Sequence, residues 1–119
     1  MSEQEIPREL SELLSGKRLD PFLMNYKRFM IMTLLYALGP RTVGELKRAL
    51  GLSWGDIDSK LRSLEERGYV ITRKILTLSG PRTLVELTEE GVREYERLSR
   101  ELRRLLEAVK PSTAQPRGF

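Results

Sequence analysis

The sequence contains no cysteine and no histidine among its 119 residues. Without cysteine the chain has no disulfide, thiolate zinc site, iron–sulfur cluster or thiol nucleophile. Without histidine it lacks the commonest general base and the commonest metal ligand, which leaves only carboxylate, lysine or tyrosine chemistry. We therefore expect no metal and no other cofactor, and the two absences argue against an enzyme before any motif is considered.

Long apolar runs and catalytic motifs are missing as well. No apolar stretch approaches the roughly 18 residues of a membrane span, and the first residues, Met1 to Glu5, are acidic rather than basic as in a secretory signal. The acidic pairs Asp56/Asp58 and Glu65/Glu66 lie too close together on one predicted helix to converge on a site. No phosphate-binding G-x-x-x-x-G-K-[ST] loop occurs. The chain is predicted to be a cytoplasmic protein that is not an enzyme.

Charge is what the chain has in abundance, since 32% of its residues are charged and 21 basic residues face 17 acidic ones. The excess lies in the middle of the chain: residues 1–19 carry a net charge of −1, residues 20–88 carry +4 and residues 89–119 carry +1. The middle segment is therefore where phosphate contacts are expected. Fifteen of the basic residues are arginine, against one asparagine and two glutamines, a composition that hints at a thermophilic source.

Local signals predict four helices in the first part of the chain. A short helix is predicted from about Pro7 to Ser15, because Leu10, Leu13 and Leu14 fall on one face. Asp20-Pro21 signals the start of a second helix, which is apolar on most sides, hence buried, and ends at Gly39-Pro40. Two more helices follow with a tight turn between them, and together they predict a helix-turn-helix unit.

The boundaries of that unit are marked by capping residues. Thr42-Val43-Gly44-Glu45 has the form of a capping box, and Gly51 is expected to close the third helix in the left-handed conformation. Ser53 is expected to cap the fourth helix, which ends at Gly68. An apolar stripe runs along that helix, made of Ile57, Leu61 and Leu64.

A hairpin and a long helix complete the predicted elements. Strands are expected from Tyr69 to Leu78 and from Thr83 to Leu87, with Ser79-Gly80-Pro81-Arg82 as the turn. Thr88 caps a helix that runs to about Val109. Its apolar residues step 3, 4, 3, 4 along the chain, which is typical of a seam against a partner helix: Tyr95, Leu98, Leu102, Leu105 and Val109.

Two sequence motifs connect these elements. Leu61-Arg62-Ser63-Leu64-Glu65-Glu66-Arg67-Gly68-Tyr69-Val70 leads from the fourth helix into the hairpin, and Leu87-Thr88-Glu89-Glu90-Gly91 opens the last helix. With Lys27–Met32 and Ala49–Ser53 they resemble the winged helix-turn-helix transcription regulators, in particular small archaeal relatives of the MarR and ArsR types. The resemblance covers about 70 residues, from Asn25 to about Tyr95.

The resemblance implies an α+β, mainly α fold: a winged helix-turn-helix with a long C-terminal dimerisation helix. Residues 1–19 are expected to form an N-terminal arm with a short helix, 20–88 the DNA-binding domain, 89–110 the dimerisation helix and 111–119 a disordered tail. Leu10, Leu13 and Leu14 are expected to cover the flank of the seam in a homodimer. A small-molecule effector is a further possibility that no feature of the sequence supports.

The predicted DNA contacts come from two groups of residues. The face of the fourth helix opposite the apolar stripe carries short polar side chains and one arginine, with a lysine on its flank, and suits base edges in a major groove; it comprises Ser53, Gly55, Ser59, Lys60, Arg62 and Ser63. The second group consists of basic residues expected on phosphates: Lys27, Arg28, Lys47, Arg48, Arg73, Lys74 and Arg82. For each of them, a solvated surface position is the alternative interpretation.

Acidic residues on the fourth helix leave a second function open. Asp56, Asp58, Glu65 and Glu66 favour a winged-helix module that docks on a protein of the transcription machinery. Asp56 is expected to cap the helix rather than to accept a hydrogen bond from a cytosine amino group. Trp54 projects toward the apolar stripe, and we favour its partial burial over a base contact. Four aromatic residues either line a small-molecule pocket or, as we favour, pack in the core: Tyr26, Phe29, Tyr36 and Tyr69.

Overall fold

The computed structural model describes residues 5–112. Within them, five helices and three short strands follow one another in the order α1 (Arg8–Leu13), α2 (Tyr26–Leu38), β1 (Arg41–Thr42), α3 (Val43–Leu50), α4 (Trp54–Glu66), β2 (Val70–Thr77), β3 (Gly80–Leu87) and α5 (Glu89–Ala108). The predicted fold class, mainly helical with a small sheet and a long C-terminal helix, is confirmed. No helix in this part of the chain combines the length and apolar character needed to cross a membrane.

The sheet has three antiparallel strands in the order β1-β3-β2. β2 and β3 form the predicted hairpin, whereas β1 was not predicted, because two residues are too few to show an alternating pattern. It pairs Arg41 with Val85 and Thr42 with Leu84, so that the sheet is anchored directly before α3.

Helix α2 crosses the centre of the core, as its apolar composition predicts, and buries Ile31, Met32 and Leu35. Its predicted start at Asp20-Pro21 is wrong. The Asp20 carboxylate accepts a hydrogen bond from the Phe22 N–H at 2.9 Å and holds a turn that buries Leu23 completely. The helix begins after Asn25, whose side chain accepts from the Arg28 N–H at 3.0 Å.

The helix-turn-helix unit has the predicted caps. Thr42 and Glu45 form the reciprocal capping box, and Gly51 closes α3 at φ 65° and ψ 33°. The Ser53 side chain accepts from the Asp56 N–H at 3.1 Å and starts α4. The start of each helix and the end of α3 are therefore set by residues whose capping role is visible in the sequence.

The two sequence motifs meet where α4 leads into the sheet and the sheet leads into α5. The Thr88 hydroxyl donates to the Gly68 carbonyl at 2.6 Å, and the Thr88 N–H donates to the Tyr69 carbonyl at 3.0 Å. A Cβ on Gly91 would lie 2.1 Å from that same Tyr69 oxygen, so only glycine fits. This close approach ties the start of α5 to the end of α4.

The hairpin turn is shorter than predicted. It consists of Leu78 and Ser79 alone, and Gly80, at φ 104°, already pairs with Thr77. Arg82 pairs with Ile75 inside the strand and does not lie at the tip. The tip is instead apolar, since the Leu78 side chain is fully exposed.

The two halves of α5 have different surroundings. Tyr95 and Leu98 are 9% and 0% exposed in the core of their own subunit, where the Tyr95 ring lies between those of Phe29 and Tyr36. They leave almost no surface for a partner, so only the second half of the helix has apolar side chains available for the predicted seam. There Leu102 and Leu105 are half-buried.

Helix α1 packs beside the second half of α5. It buries Leu13 and leaves Leu14 exposed, and Arg18 contacts Glu101 at 3.5 Å. Leu106 and Val109 of α5 remain exposed. Most of the predicted tail, residues 113–119, lies outside the described residues.

Candidate nucleic-acid interface

A cleft of about 690 Å³ separates α4, the recognition helix, from the β2–β3 hairpin, the wing. The start of α3 lies between them. Four cationic side chains line the cleft, Arg48, Arg62, Lys74 and Arg82, together with two carboxylates, Asp58 and Glu65. The lining of the cleft therefore carries an excess of positive charge, which suits a phosphate backbone.

The outward face of the recognition helix carries mainly polar side chains, and two of its residues, Gly55 and Ser59, are small. Gly55, Ser59 and Arg62 are exposed, and a Cβ built on Gly55 meets no atom within 4 Å. The opposite face is buried through Ile57, Leu61 and Leu64, as predicted. A surface can thus approach this helix closely along one side.

The other two serines of the predicted set serve the backbone of their own chain. Ser53 is the cap of α4, and the Ser63 hydroxyl donates to the Lys60 carbonyl at 2.8 Å. Ser63 is also half-buried. Ser59 is consequently the serine of this helix best placed to meet a ligand.

Cations on the recognition helix are paired with acids of the same helix. Arg62 Nη2 donates to Asp58 Oδ2 at 2.8 Å, and Lys60 Nζ donates to Asp56 Oδ1 at 3.2 Å. Lys27 of α2 donates to the second oxygen of Asp56. The hydrogen bonds from Lys27 and then Lys60 lower the pKa of Asp56 below its usual value.

These contacts change the roles assigned to two residues. The Asp56 carboxylate joins α2 to α4 and does not cap the helix, because it is occupied by two lysines. Lys27 is held in that bridge, so a phosphate would have to compete with Asp56 for it. The two residues are 29 positions apart, and the bridge exists only once the helices have packed.

Arg28 is likewise held by its own subunit. Its Nε donates to the Phe22 carbonyl at 2.8 Å, and its guanidinium lies 4.2 Å from the centre of the Phe22 ring. Arg67 contacts the same ring at 4.0 Å. Arg28 does not line the cleft, and its contacts are those of a residue that supports the turn before α2.

The basic residues of the wing are divided between its two faces. Successive side chains of a strand alternate, so Lys74 faces the cleft while Arg73 projects from the other side, 3.3 Å from Glu86. Arg82 pairs with Ile75, so it starts on the side of Arg73 and lines the cleft at its rim. Lys74 Nζ donates to Thr83 Oγ1 at 2.8 Å, and Arg82 Nη1 donates to the Pro81 carbonyl at 2.9 Å. Both bonds are to uncharged oxygens, which leaves these two cations available for phosphates.

Trp54 is a residue of the cleft for which the sequence favoured partial burial over a base contact. Its side chain is 62% exposed, so the prediction that it packs toward the apolar stripe is wrong. Leu52, which is buried, fills the core at this point. Lys47 Nζ lies 5.0 Å from the centre of the indole ring. The signal in the sequence was the position of Trp54 itself, at the first residue of the helix.

The four aromatic residues of the predicted pocket do not converge. Tyr26 is exposed, Tyr69 is buried beside Phe22, and Phe29 and Tyr36 stack on Tyr95. Core packing, the interpretation that we favoured, therefore accounts for Phe29 and Tyr69, whereas Tyr36 is 45% exposed and donates to Glu96 at the surface.

A sequence model described as "Winged helix DNA-binding domain" matches residues 27–106, which is more than half of the chain and includes the whole cleft. The chain belongs to this family. The match to a winged helix family confirms the resemblance inferred from the two motifs.

Individual relatives agree with the assignment to a winged helix family. The transcriptional regulator homologue from Pyrococcus horikoshii is 31% identical, with a TM-score of 0.71 over 85% of this chain and 96% of that one. An uncharacterized protein of Methanocaldococcus jannaschii is 34% identical over 64 residues, 54% of this chain and 70% of its own length. Both come from archaea, as the resemblance predicted.

The PcaV transcriptional regulator from Streptomyces coelicolor shares the fold. It is 23% identical, with a TM-score of 0.63 over 84% of this chain and 72% of that one. Its structure contains its natural ligand.

Proposed function

We propose that the protein is a homodimeric regulator of transcription that binds double-stranded DNA in a sequence-specific manner. The recognition helix lies in the major groove and the wing contacts the phosphate backbone. The observation that carries this proposal is the cleft, in which Arg62 of the exposed helix face lines the same space as Lys74 and Arg82, two wing cations that have no acidic partner among the described residues.

The distribution of charge supports DNA as the partner. The wing supplies Lys74 and Arg82, and the last turn of α3 supplies Arg48; these cations suit phosphates regardless of sequence. The helix supplies Gly55, Ser59 and Arg62, whose size and donors suit base edges. Membership of a family of DNA-binding domains and a relative that is a transcriptional regulator homologue agree with this assignment.

Titration of duplex DNA at several salt concentrations tests the proposal. We expect binding at low salt that weakens steeply as salt rises, because each phosphate contact releases counterions. Selection of bound fragments from random duplexes is expected to yield a palindromic consensus. No binding at low salt would instead favour docking on a protein, for which the exposed carboxylates of Asp58, Glu65 and Glu66 are the specific observation.

Dimerisation is proposed through the second half of α5. A single winged helix contacts too few base pairs to address a genome, and two copies on a two-fold axis reach half-sites about 34–36 Å apart. In each subunit Leu106 and Val109 are exposed beyond the core, next to the half-buried Leu102 and Leu105. A partner helix would remove these side chains from water.

Leu106→Asp tests this interface. Because Leu106 is 72% exposed in the single chain, an aspartate there leaves the winged domain folded but places a charge in the proposed seam. We expect a monomer by light scattering, an unchanged circular dichroism spectrum, and a loss of binding relative to the wild type that is much larger on a palindromic site than on an isolated half-site. Leu78→Asp, the same change at a fully exposed leucine of the wing tip, is the control and is expected to remain dimeric. A wild-type chain that is monomeric at micromolar concentration contradicts the interface.

A further inference from the structure

Trp54 presents a large apolar surface where the fold does not need one. It is the first residue of α4 and the single tryptophan of the chain, and its side chain is 62% exposed at the cleft. The other exposed positions of the recognition helix carry no apolar side chain: Gly55, Asp58, Ser59, Arg62, Glu65 and Glu66. Trp54 is thus the one apolar contact that this helix offers to a ligand.

The surroundings of the indole keep it outward and accessible. Lys47 Nζ lies 5.0 Å from the ring centre, in a cation–π contact that favours one ring orientation. The next residue, Gly55, has no side chain and an open space around its Cα. The start of the helix can therefore approach a base pair with the indole beside it.

The chemistry of the major groove selects one partner for such a group. The first residues of a recognition helix are those that contact base edges, and the edges present donors, acceptors and one apolar group, the thymine methyl. We propose that Trp54 packs its indole against a thymine methyl and thereby sets a preference for thymine at one position of each half-site. This inference rests on the proposed function, since it names what the recognition helix reads.

Uracil substitution in the selected site tests the contact, because deoxyuridine differs from thymidine only in lacking the methyl group. We expect one symmetry-related thymine position at which deoxyuridine weakens wild-type binding about fourfold per half-site, the effect of one buried methyl group. Trp54→Ala is expected to bind both duplexes equally, with an unchanged salt slope. The fluorescence of Trp54 is expected to change on binding the thymine duplex.

Matched variants distinguish the contact from a general loss of binding. Trp54→Phe retains an aromatic surface and is expected to keep part of the thymine preference. Tyr26→Ala removes an aromatic side chain of similar exposure that does not line the cleft, and it is expected to leave the preference intact. Circular dichroism checks that all variants remain folded.

Two outcomes separate this inference from the proposed function. If the wild-type chain binds a defined sequence but Trp54→Ala shows the same thymine preference, or if the consensus has no thymine preference, the Trp54 contact is overturned and the proposed function stands. If the wild-type chain binds no duplex at low salt, both are overturned.

Discussion

The recognition helix and the wing bring cations into the same cleft but hold them differently. On the helix, Arg62 and Lys60 each pair with a carboxylate one turn away. On the wing, Lys74 and Arg82 bond only to uncharged oxygens. A paired cation adds little to the field felt at a distance, so we expect the wing to attract any phosphate backbone and the helix to discriminate among sequences.

The largest effect is expected from Arg62→Ala. Its guanidinium is exposed, so it can leave the carboxylate of Asp58 and bind a base edge or a phosphate instead. On the preferred site we expect a loss of about 1–3 kcal/mol in binding free energy, and a much smaller loss on random DNA. Competition titrations against the two duplexes measure the difference. Equal losses on both would make Arg62 a phosphate contact and remove the distinction between helix and wing.

A smaller and uniform effect is expected from Lys74→Ala and, separately, from Arg82→Ala. Each is expected to weaken binding to every duplex about equally and to lower the salt slope by roughly one unit. The matched control is Arg73→Ala, because Arg73 precedes Lys74 in the chain, projects from the opposite face and pairs with Glu86. A slope that falls as much in the control as in Lys74→Ala would show that the two faces of the wing are equivalent.

The smallest effect concerns stability and comes from Asp56, whose pKa is lowered by Lys27 and Lys60. A carboxylate with a lowered pKa in the folded state stabilises the fold above its unfolded pKa, near 4, and loses that contribution as the pH falls through its folded pKa. We expect thermal unfolding of Asp56→Asn to depend less steeply on pH than that of the wild type below about pH 4. Identical slopes would mean that the bridge between α2 and α4 contributes nothing measurable.

Local signals account for what the sequence predicted well. The caps of α3, α4 and α5 at Thr42, Ser53 and Thr88 are formed by residues three positions from the groups they bind, so their spacing is visible in the chain. The start of α2 was misplaced because Asp20 and Asn25 are both capping residues. The choice between them depends on the burial of Leu23, which is a property of the packed core.

The candidate site was predicted in part for the same reason. The helix face with Ser59 and Arg62 follows from helical periodicity, whereas the bridge between Lys27 and Asp56 depends on how two distant helices pack. The division between Arg73 and Lys74 was readable, since adjacent residues of a strand face opposite ways. Trp54 was misplaced because periodicity alone assigns it to the apolar stripe, whereas in the structure its side chain is 62% exposed and Leu52, two residues earlier, is the buried one.

The position of β2 in the sheet has a consequence for the isolated protein. It has a neighbour on one side only, β3, so its other edge presents backbone groups that another chain can pair with. Ile71 and Leu76 on this strand are exposed and apolar, and the charges that oppose aggregation between them are Arg73 and Lys74. Lys74, which we expect to contact a phosphate, is therefore also expected to oppose aggregation of the free protein. A variant that lacks both Arg73 and Lys74 is expected to bind DNA more weakly and to aggregate through the edge of β2.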